Sequence, residues 1–225
     1  MSACLVCGSD RMATLFRASD RLYHTTAKEF DVVRCGACGL IRLEPQPGEE
    51  ELPLYYPRSY WFAPNENAAG RLEEAYRRLV LRDPLQFLAT AHGLLAAGGR
   101  LVVQVPNAAS WQARLLGRSW NGVDIPRHLF DFRDLDLEKL LAACQFEVLR
   151  RKYFSLRDNP AGFASSLAPA LDPMARRVRR TPESGAARLL KDLAYFGLVL
   201  AALPFTLAEA ACHAGSTVMI EARKR

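Results

Sequence analysis

Four cysteines near the amino terminus carry the most specific chemical signal in the sequence. Cys4 and Cys7 are spaced as C-x-x-C in CLVCG, and Cys35 and Cys38 repeat that spacing in CGACG. Each pair puts two sulfurs on one tight turn, and the glycine that follows lets the backbone amides face them. Four sulfurs form the tetrahedral shell that a structural Zn²⁺ prefers, so we predict a zinc site bound by all four cysteines.

The alternatives for these cysteines are two disulfides or four free thiols. Disulfides need an oxidising compartment, and the start MSACLVCGSD has neither the basic region nor the apolar region of an export signal. We therefore expect a cytoplasmic protein and favour zinc. The remaining cysteines, Cys144 and Cys212, lie in apolar helical contexts and are expected to be free, buried thiols. His24, between the two pairs, either touches the metal or has a plain surface role.

A second group of reactive side chains lies in the segment DIPRH. An imidazole titrates near neutral pH, so His128 could accept a proton from a hydroxyl group during attack on an electrophile. Arg127 could hold a phosphate or carboxylate through two hydrogen bonds, and Asp124 could orient either residue. The alternative is a loop pinned by an Arg–Asp pair, with His128 as a structural hydrogen-bonding residue.

The elements that must position these residues fall into three parts. Residues 1–45 are predicted to form a zinc ribbon, with short strands at 30–34 and 40–43. A ribbon of this size builds little core, so the metal would supply its folding free energy. Residues 46–66 form a linker rich in proline and aromatic residues, and those aromatics are expected to pack on the next domain. Residues 67–225 are predicted to form an α/β domain.

Within the third part, the apolar patterns predict alternating helices and strands. We predict helices at 67–83 and 84–97, and a strand at 101–105 whose apolar residues on both faces indicate the middle of a parallel sheet. Two later strands, at 146–153 and 217–222, are separated by a long helical insertion within 162–213.

The segments GGRLVVQVPNAASW and GVDIPRHLFDF resemble parts of the class I S-adenosylmethionine-dependent methyltransferases. In that family a helix ends at a turn like Gly98-Gly99, and the next strand delivers a loop to the mouth of the active site. A subset also carries an amino-terminal zinc ribbon and an aromatic linker. The resemblance implies a Rossmann-like domain, S-adenosylmethionine as cofactor, a small or carbohydrate-like acceptor, and catalytic roles for Asp124, Arg127 and His128.

The sequence departs from this family where the cofactor should bind. Its 14 glycines never form G-x-G-x-G, and the helix predicted at 67–83 is joined directly to Pro84. About 90 residues, or four of seven strands, are missing at roughly 30 residues per βα unit. The Rossmann-like domain is thus predicted to be incomplete, with no residues assigned to S-adenosylmethionine. The alternative function is a non-catalytic zinc-ribbon module for binding or assembly, completed by a second copy or another partner.

Charge and hydropathy bound the remaining partners. The net charge is +6, and part of the excess lies in Arg176, Arg177, Arg179 and Arg180, which form a solvated basic face or contact phosphate or a membrane. Nucleic acid is not expected, because the six basic residues within 1–45 are nearly balanced by five acidic ones. A stretch of 16 uncharged residues, 193–208, is shorter than a bilayer span and contains Pro204. It predicts a buried helical hairpin, with peripheral membrane contact as the alternative.

Overall fold

The fold is a mixed α/β arrangement with two antiparallel sheets, described from a computed structural model. The structure describes residues 3–48, 50–56 and 83–225. The helix predicted at 67–83 and the aromatic residues Tyr60, Trp61 and Phe62 of the predicted linker lie outside these residues.

The first sheet contains the cysteine-bearing turns. Its strands are β1 (Met12–Ala18), β2 (Phe30–Cys35), β3 (Ile41–Glu44) and β5 (Phe130–Asp131), in the order β1-β2-β3-β5 and all antiparallel. The two strands predicted from sequence are confirmed as β2 and β3, whereas β1 was not predicted. Because β5 comes from the second half of the chain, this sheet ties the cysteine region to the segment that carries His128.

The core of the first sheet is built from both halves of the chain. Tyr55 is one of the aromatic residues of the predicted linker that are expected to pack. It is 4% exposed and contacts Phe30 edge to face, with 6.2 Å between the ring centroids. From the second half, Trp120, Ile125 and Leu129 pack into the same cluster. The division into residues 1–45, 46–66 and 67–225 stays a prediction.

The second sheet corrects the predicted strand direction. Its strands are β4 (Arg100–Pro106), β6 (Phe146–Lys152) and β7 (Thr217–Lys224), in the order β4-β7-β6 with both pairs antiparallel. The strand predicted at 101–105 is confirmed as β4, but the parallel sheet is wrong. Leu101, Val103 and Val105 pack into the core, while Val102 is 58% exposed. A strand with an apolar run therefore need not be buried on both faces. The run also does not determine whether the neighbouring strand pairs in parallel or antiparallel.

The part of the chain that the structure describes contains six α-helices: α1 (Pro84–Leu94), α2 (Trp111–Leu116), α3 (Asp134–Ala143), α4 (Asp158–Leu167), α5 (Pro173–Val178) and α6 (Gly185–Ala211). α1 begins where predicted, because Asp83 accepts a hydrogen bond from the amide of Gln86 and Pro84 suits the first turn. It ends three residues earlier than predicted. α1 and α3 cover one face of the sheet with Leu88, Leu137, Leu140 and Leu141.

α6 differs from the buried helical hairpin that the sequence predicts. It is one helix of 27 residues that continues through Pro204. A proline removes one backbone hydrogen bond, which a long helix packed on its neighbours tolerates. Within the described residues it is the one helix whose length and composition would suffice to cross a bilayer, and 17% of its most apolar window is buried. The predicted burial is therefore wrong.

Candidate metal centre and the neighbouring arginine site

Two short turns present the four cysteines to one another. In the first, Gly8 has φ +69° and its amide donates to the carbonyl of Cys4 at 2.8 Å. In the second, Gly39 has φ +83° and its amide donates to the carbonyl of Cys35 at 2.9 Å. Both glycines thus adopt the left-handed conformation that other residues rarely take. The glycine after each pair is the sequence signal that predicted this turn.

The sulfurs form one compact cluster. Sγ of Cys4 lies 3.4 Å from Sγ of Cys38, Sγ of Cys7 lies 3.6 Å from Sγ of Cys35, and all four lie within 4.8 Å of one another. These separations exceed a disulfide bond of about 2.0 Å. Four ligands at about 2.3 Å from a tetrahedral ion would stand about 3.8 Å apart. The cluster therefore fits a metal ion, and all four are free cysteines.

The acidities of the thiols show why the cluster suits a cation. Burial and the neighbouring sulfurs raise the pKa of Cys38 to about 12. Burial also opposes ionisation of Cys35, but the amides of Cys38 and Ala37 outweigh it and lower the pKa of Cys35 to about 6. Four crowded thiols cannot all lose their protons unless a positive charge compensates them.

Arg133 holds the second turn from outside, and no local pattern predicts this contact. Its Nη2 donates to the carbonyl of Cys38 at 2.5 Å, and Asp136 fixes the guanidinium from one turn along α3. A Cβ at Gly39 would lie 2.6 Å from Nη1 of Arg133, so another residue there would displace this guanidinium and would also be strained at φ +83°. The start of α3 thus supports the metal-binding turn.

The other two cysteines and His24 lie apart from this cluster. Cys144 is half-buried and its thiol donates to the carbonyl of Leu85, whereas Cys212 is exposed, so its predicted burial is wrong. The exposed ring of His24 is not among the clustered ligands and lines an open cleft instead.

Arg127 is the centre of a buried ionic network. Its side chain is 1% exposed and binds the carboxylates of Asp20 and Asp124, with Nη2–O distances of 2.9 and 2.7 Å. Nη1 also donates to the carbonyl of Tyr55, and the guanidinium carbon lies 4.6 Å from the centroid of the Tyr23 ring. The arginine therefore joins the β1–β2 connection and the segment after β3 to its own loop.

This network occupies the donors that a substrate would need. Nε and both terminal nitrogens of Arg127 already donate to oxygens of the protein. Burial opposes the charge, but Asp124 and Asp20 outweigh it and raise the pKa of the guanidinium. Burial also opposes ionisation of Asp20, and Arg127 reverses this and lowers the pKa of that carboxyl. The geometry favours a loop pinned by Arg–Asp pairs over an arginine that binds substrate.

His128 keeps the arrangement that a general base requires. Its Nδ1 lies 2.9 Å from the carbonyl of Gly122, which can only accept a hydrogen bond. Nδ1 must therefore carry the proton, and Nε2 of the neutral ring is left to accept one. The ring is half-buried. A catalytic role for His128 stays a prediction.

An open cleft of about 600 Å³ lies near this junction, between the β1–β2 connection and the segment after α2. Its lining is polar and includes Ser19, Arg21, His24, Thr26 and Arg118. Arg21 is held in place because it donates to the carbonyls of Ser119 and Ser166, each at 3.0 Å. Neither His128 nor Arg127 lines the cleft. The cleft could admit a hydroxyl-rich molecule, but that molecule would not contact the residues predicted to be catalytic.

Comparisons with known proteins add no family assignment. No family model matches the chain, and no curated protein matches it.

Proposed function

We propose that this chain is a zinc-ribbon module for binding and assembly, derived from an S-adenosylmethionine-dependent methyltransferase that has lost its cofactor-binding half. The observation that carries the proposal is the second sheet. Within the described residues β4 pairs with β7 alone, so one edge of β4 has no strand beside it. That edge is where further strands would continue the sheet.

The four-cysteine cluster supports zinc as the metal. Sulfur ligands in a tetrahedral set select soft or borderline ions, of which zinc is the common structural choice. The cluster has no open ligand position, because four cysteines complete the shell. Zinc would then stabilise the fold and take no direct part in chemistry.

The sequence and the sheet together support the loss of the cofactor half. G-x-G-x-G is absent from all 225 residues. The described residues form three strands in the second sheet, which is the number that remains when four of seven are missing. The network around Arg127 agrees with this proposal, since a pinned loop needs no substrate. An unpaired strand edge is a template for another strand, which supports assembly with a partner.

Isothermal titration with S-adenosylmethionine tests the proposal. We expect no binding heat from the zinc-loaded chain at about 1 mM cofactor, because no glycine-rich turn approaches it. Light scattering should show association through β4 that Val102→Lys abolishes and Leu149→Lys on β6 leaves unchanged. One-to-one binding of S-adenosylmethionine by a monomer would overturn the proposal.

Methyl transfer to a carbohydrate-like acceptor is the second candidate, and the polar cleft favours it. Its hydroxyl groups from Ser19, Thr26 and Ser119, together with its arginines and the carboxylates of Asp20 and Glu29, suit a hydroxyl-rich molecule. If S-adenosylmethionine binds in the titration, methyl incorporation that Arg118→Ala in the cleft abolishes would establish this candidate.

A further inference from the structure

The outward face of α6 is apolar along its whole length. Six of its large apolar side chains are 49–70% exposed: Leu189, Leu190, Leu193, Phe196, Leu200 and Leu207. At 100° per residue, five of them, all except Leu190, fall within about 60° of one another. Small residues such as Ala194, Gly197 and Ala201 widen this face to about 160°. We call this surface the α6 apolar face.

The polar groups of α6 are turned away from this face. Thr206 and Glu209 are buried, and Glu209 accepts a hydrogen bond from Gln112 at 2.9 Å. Lys191 pairs with Glu183 at 2.7 Å, and Asp192 pairs with Arg176. The inner side also packs Phe205 on Phe163 of α4, with 4.8 Å between ring centroids. The helix is thus fixed lengthwise on the protein and cannot stand across a bilayer without losing this packing.

Exposed arginines lie near the amino-terminal end of α6. Arg176 of α5 is buried in its ion pairs with Glu183 and Asp192, so the predicted solvated basic face is wrong for that residue. The pair with Asp192 holds α5 against the first turns of α6, and Arg177 and Arg180, which follow Arg176 in the chain, are both exposed. Arg188, beside the apolar face in the first turn of α6, adds a third cation; its side chain is 75% exposed and lies 4.0 Å from Asp192.

We propose that α6 docks the protein on an anionic bilayer surface. The apolar face would lie among the upper acyl chains, with Arg177, Arg180 and Arg188 against anionic headgroups. A second copy of the chain fits less well, because its α6 apolar face offers no carboxylate to these arginines and the chain already carries a charge of +6. A face of about 160° is also wider than the seam that one partner helix covers.

Vesicle flotation of the zinc-loaded full chain tests this proposal. We expect it to float with phosphatidylcholine vesicles that contain about 30% phosphatidylserine, and about tenfold or more weakly with phosphatidylcholine alone. The double variant Phe196→Glu, Leu200→Glu should reduce flotation at least about tenfold. Leu54→Glu is the matched control, because it changes a leucine that is 72% exposed outside α6.

A second variant separates charge from apolar insertion. Replacing Arg177, Arg180 and Arg188 by glutamine should lower binding to anionic vesicles to the level seen with neutral ones. Thermal melts of all variants should match the parent, which excludes unfolding. The proposal is overturned if the parent floats with neither vesicle, or if the Phe196→Glu, Leu200→Glu variant floats equally well. It is also overturned if light scattering shows a dimer that this variant dissociates while vesicle binding is unchanged.

Discussion

The two sheets are held together by different kinds of interaction. Around the first sheet, polar groups add to an apolar core that both halves of the chain build: four sulfurs lie within 4.8 Å of one another, and a buried arginine binds two carboxylates. Around the second sheet, two helices cover an apolar face, with a core of Leu88, Leu137, Leu140, Leu141, Phe146, Val218, Ile220 and Ala222.

This difference predicts how the stability of each sheet responds to substitution. A metal site or a buried ion pair fails when one atom is removed, because its partners are then left charged and unsatisfied. An apolar core loses stability in proportion to the volume removed and keeps its arrangement. The chemically reactive residues of this chain therefore lie around the first sheet, where we expect their replacement to affect stability before any other property.

Loss of the metal should give the largest effect. Cys35→Ser should abolish zinc binding and destabilise the first sheet by about 5 kcal/mol or more, because structural zinc supplies folding free energy. Metal content and thermal unfolding measure this. Addition of a chelator to the parent chain should produce the same loss of stability.

Two controls sharpen the comparison between the sheets. Cys212→Ser changes an exposed cysteine outside the cluster and should leave zinc content and stability unchanged. Leu141→Ala in the second core should cost about 2–5 kcal/mol while zinc content stays at one ion per chain. If Leu141→Ala lost as much zinc as Cys35→Ser, the two sheets would not be stabilised separately.

Removal of the buried arginine should rank next. Arg127→Met leaves Asp20 buried without its cation, so we expect a loss of about 3–5 kcal/mol in the free energy of unfolding at neutral pH. The pKa of Asp20 is lowered in the folded protein, so this stabilisation is present above the pKa of the unfolded carboxyl and fades as pH falls. Denaturant unfolding at neutral and acidic pH measures the difference.

Arg118→Met is the matched control for Arg127→Met. Arg118 is exposed beside the cleft, so the change should stay within about 0.5 kcal/mol. If Arg127→Met were equally mild, the network would not be what joins the loop to the first sheet.

Replacement of Glu209, a buried carboxyl on the inner side of α6, should change stability least, and it should raise stability rather than lower it. Burial raises the pKa of Glu209 in the folded protein above its value in the unfolded chain. The protonated carboxyl therefore contributes stability at low pH, and this stability is lost as the pH rises through the pKa of the folded protein. Glu209→Gln removes the charge from this buried site and keeps an oxygen that can accept from Nε2 of Gln112, so we expect about 1 kcal/mol of stabilisation at pH 8 and almost none at pH 4.

Unfolding curves at the two pH values measure the Glu209→Gln effect. Glu29→Gln, at an exposed position, should change neither value. Destabilisation by Glu209→Gln at pH 8 would show that the ionised carboxylate is the form that the fold prefers.

The features predicted correctly from the sequence depend on residues close together in the chain. The cysteine turns follow from two spacings and two glycines, and the start of α1 follows from a proline at its first turn. The strands β2, β3 and β4 follow from short apolar runs. Such signals need only a few neighbouring residues.

The features that were missed depend on contacts between distant segments. The antiparallel pairing of β4 with β7 joins residues more than a hundred positions apart, and no local pattern fixes its direction. Arg127 meets Asp20 across 107 positions, and Arg133 meets Cys38 across 95. The exposure of α6 was missed because an apolar stretch is normally buried, and the sequence alone does not show which surface covers it.

X-ray absorption at the zinc edge of the purified chain tests the central claim most directly. We predict one zinc ion per chain with four sulfur neighbours at about 2.3 Å and no nitrogen or oxygen ligand. A chain that folds without zinc, or a zinc ion with fewer than four sulfur ligands, would contradict the account.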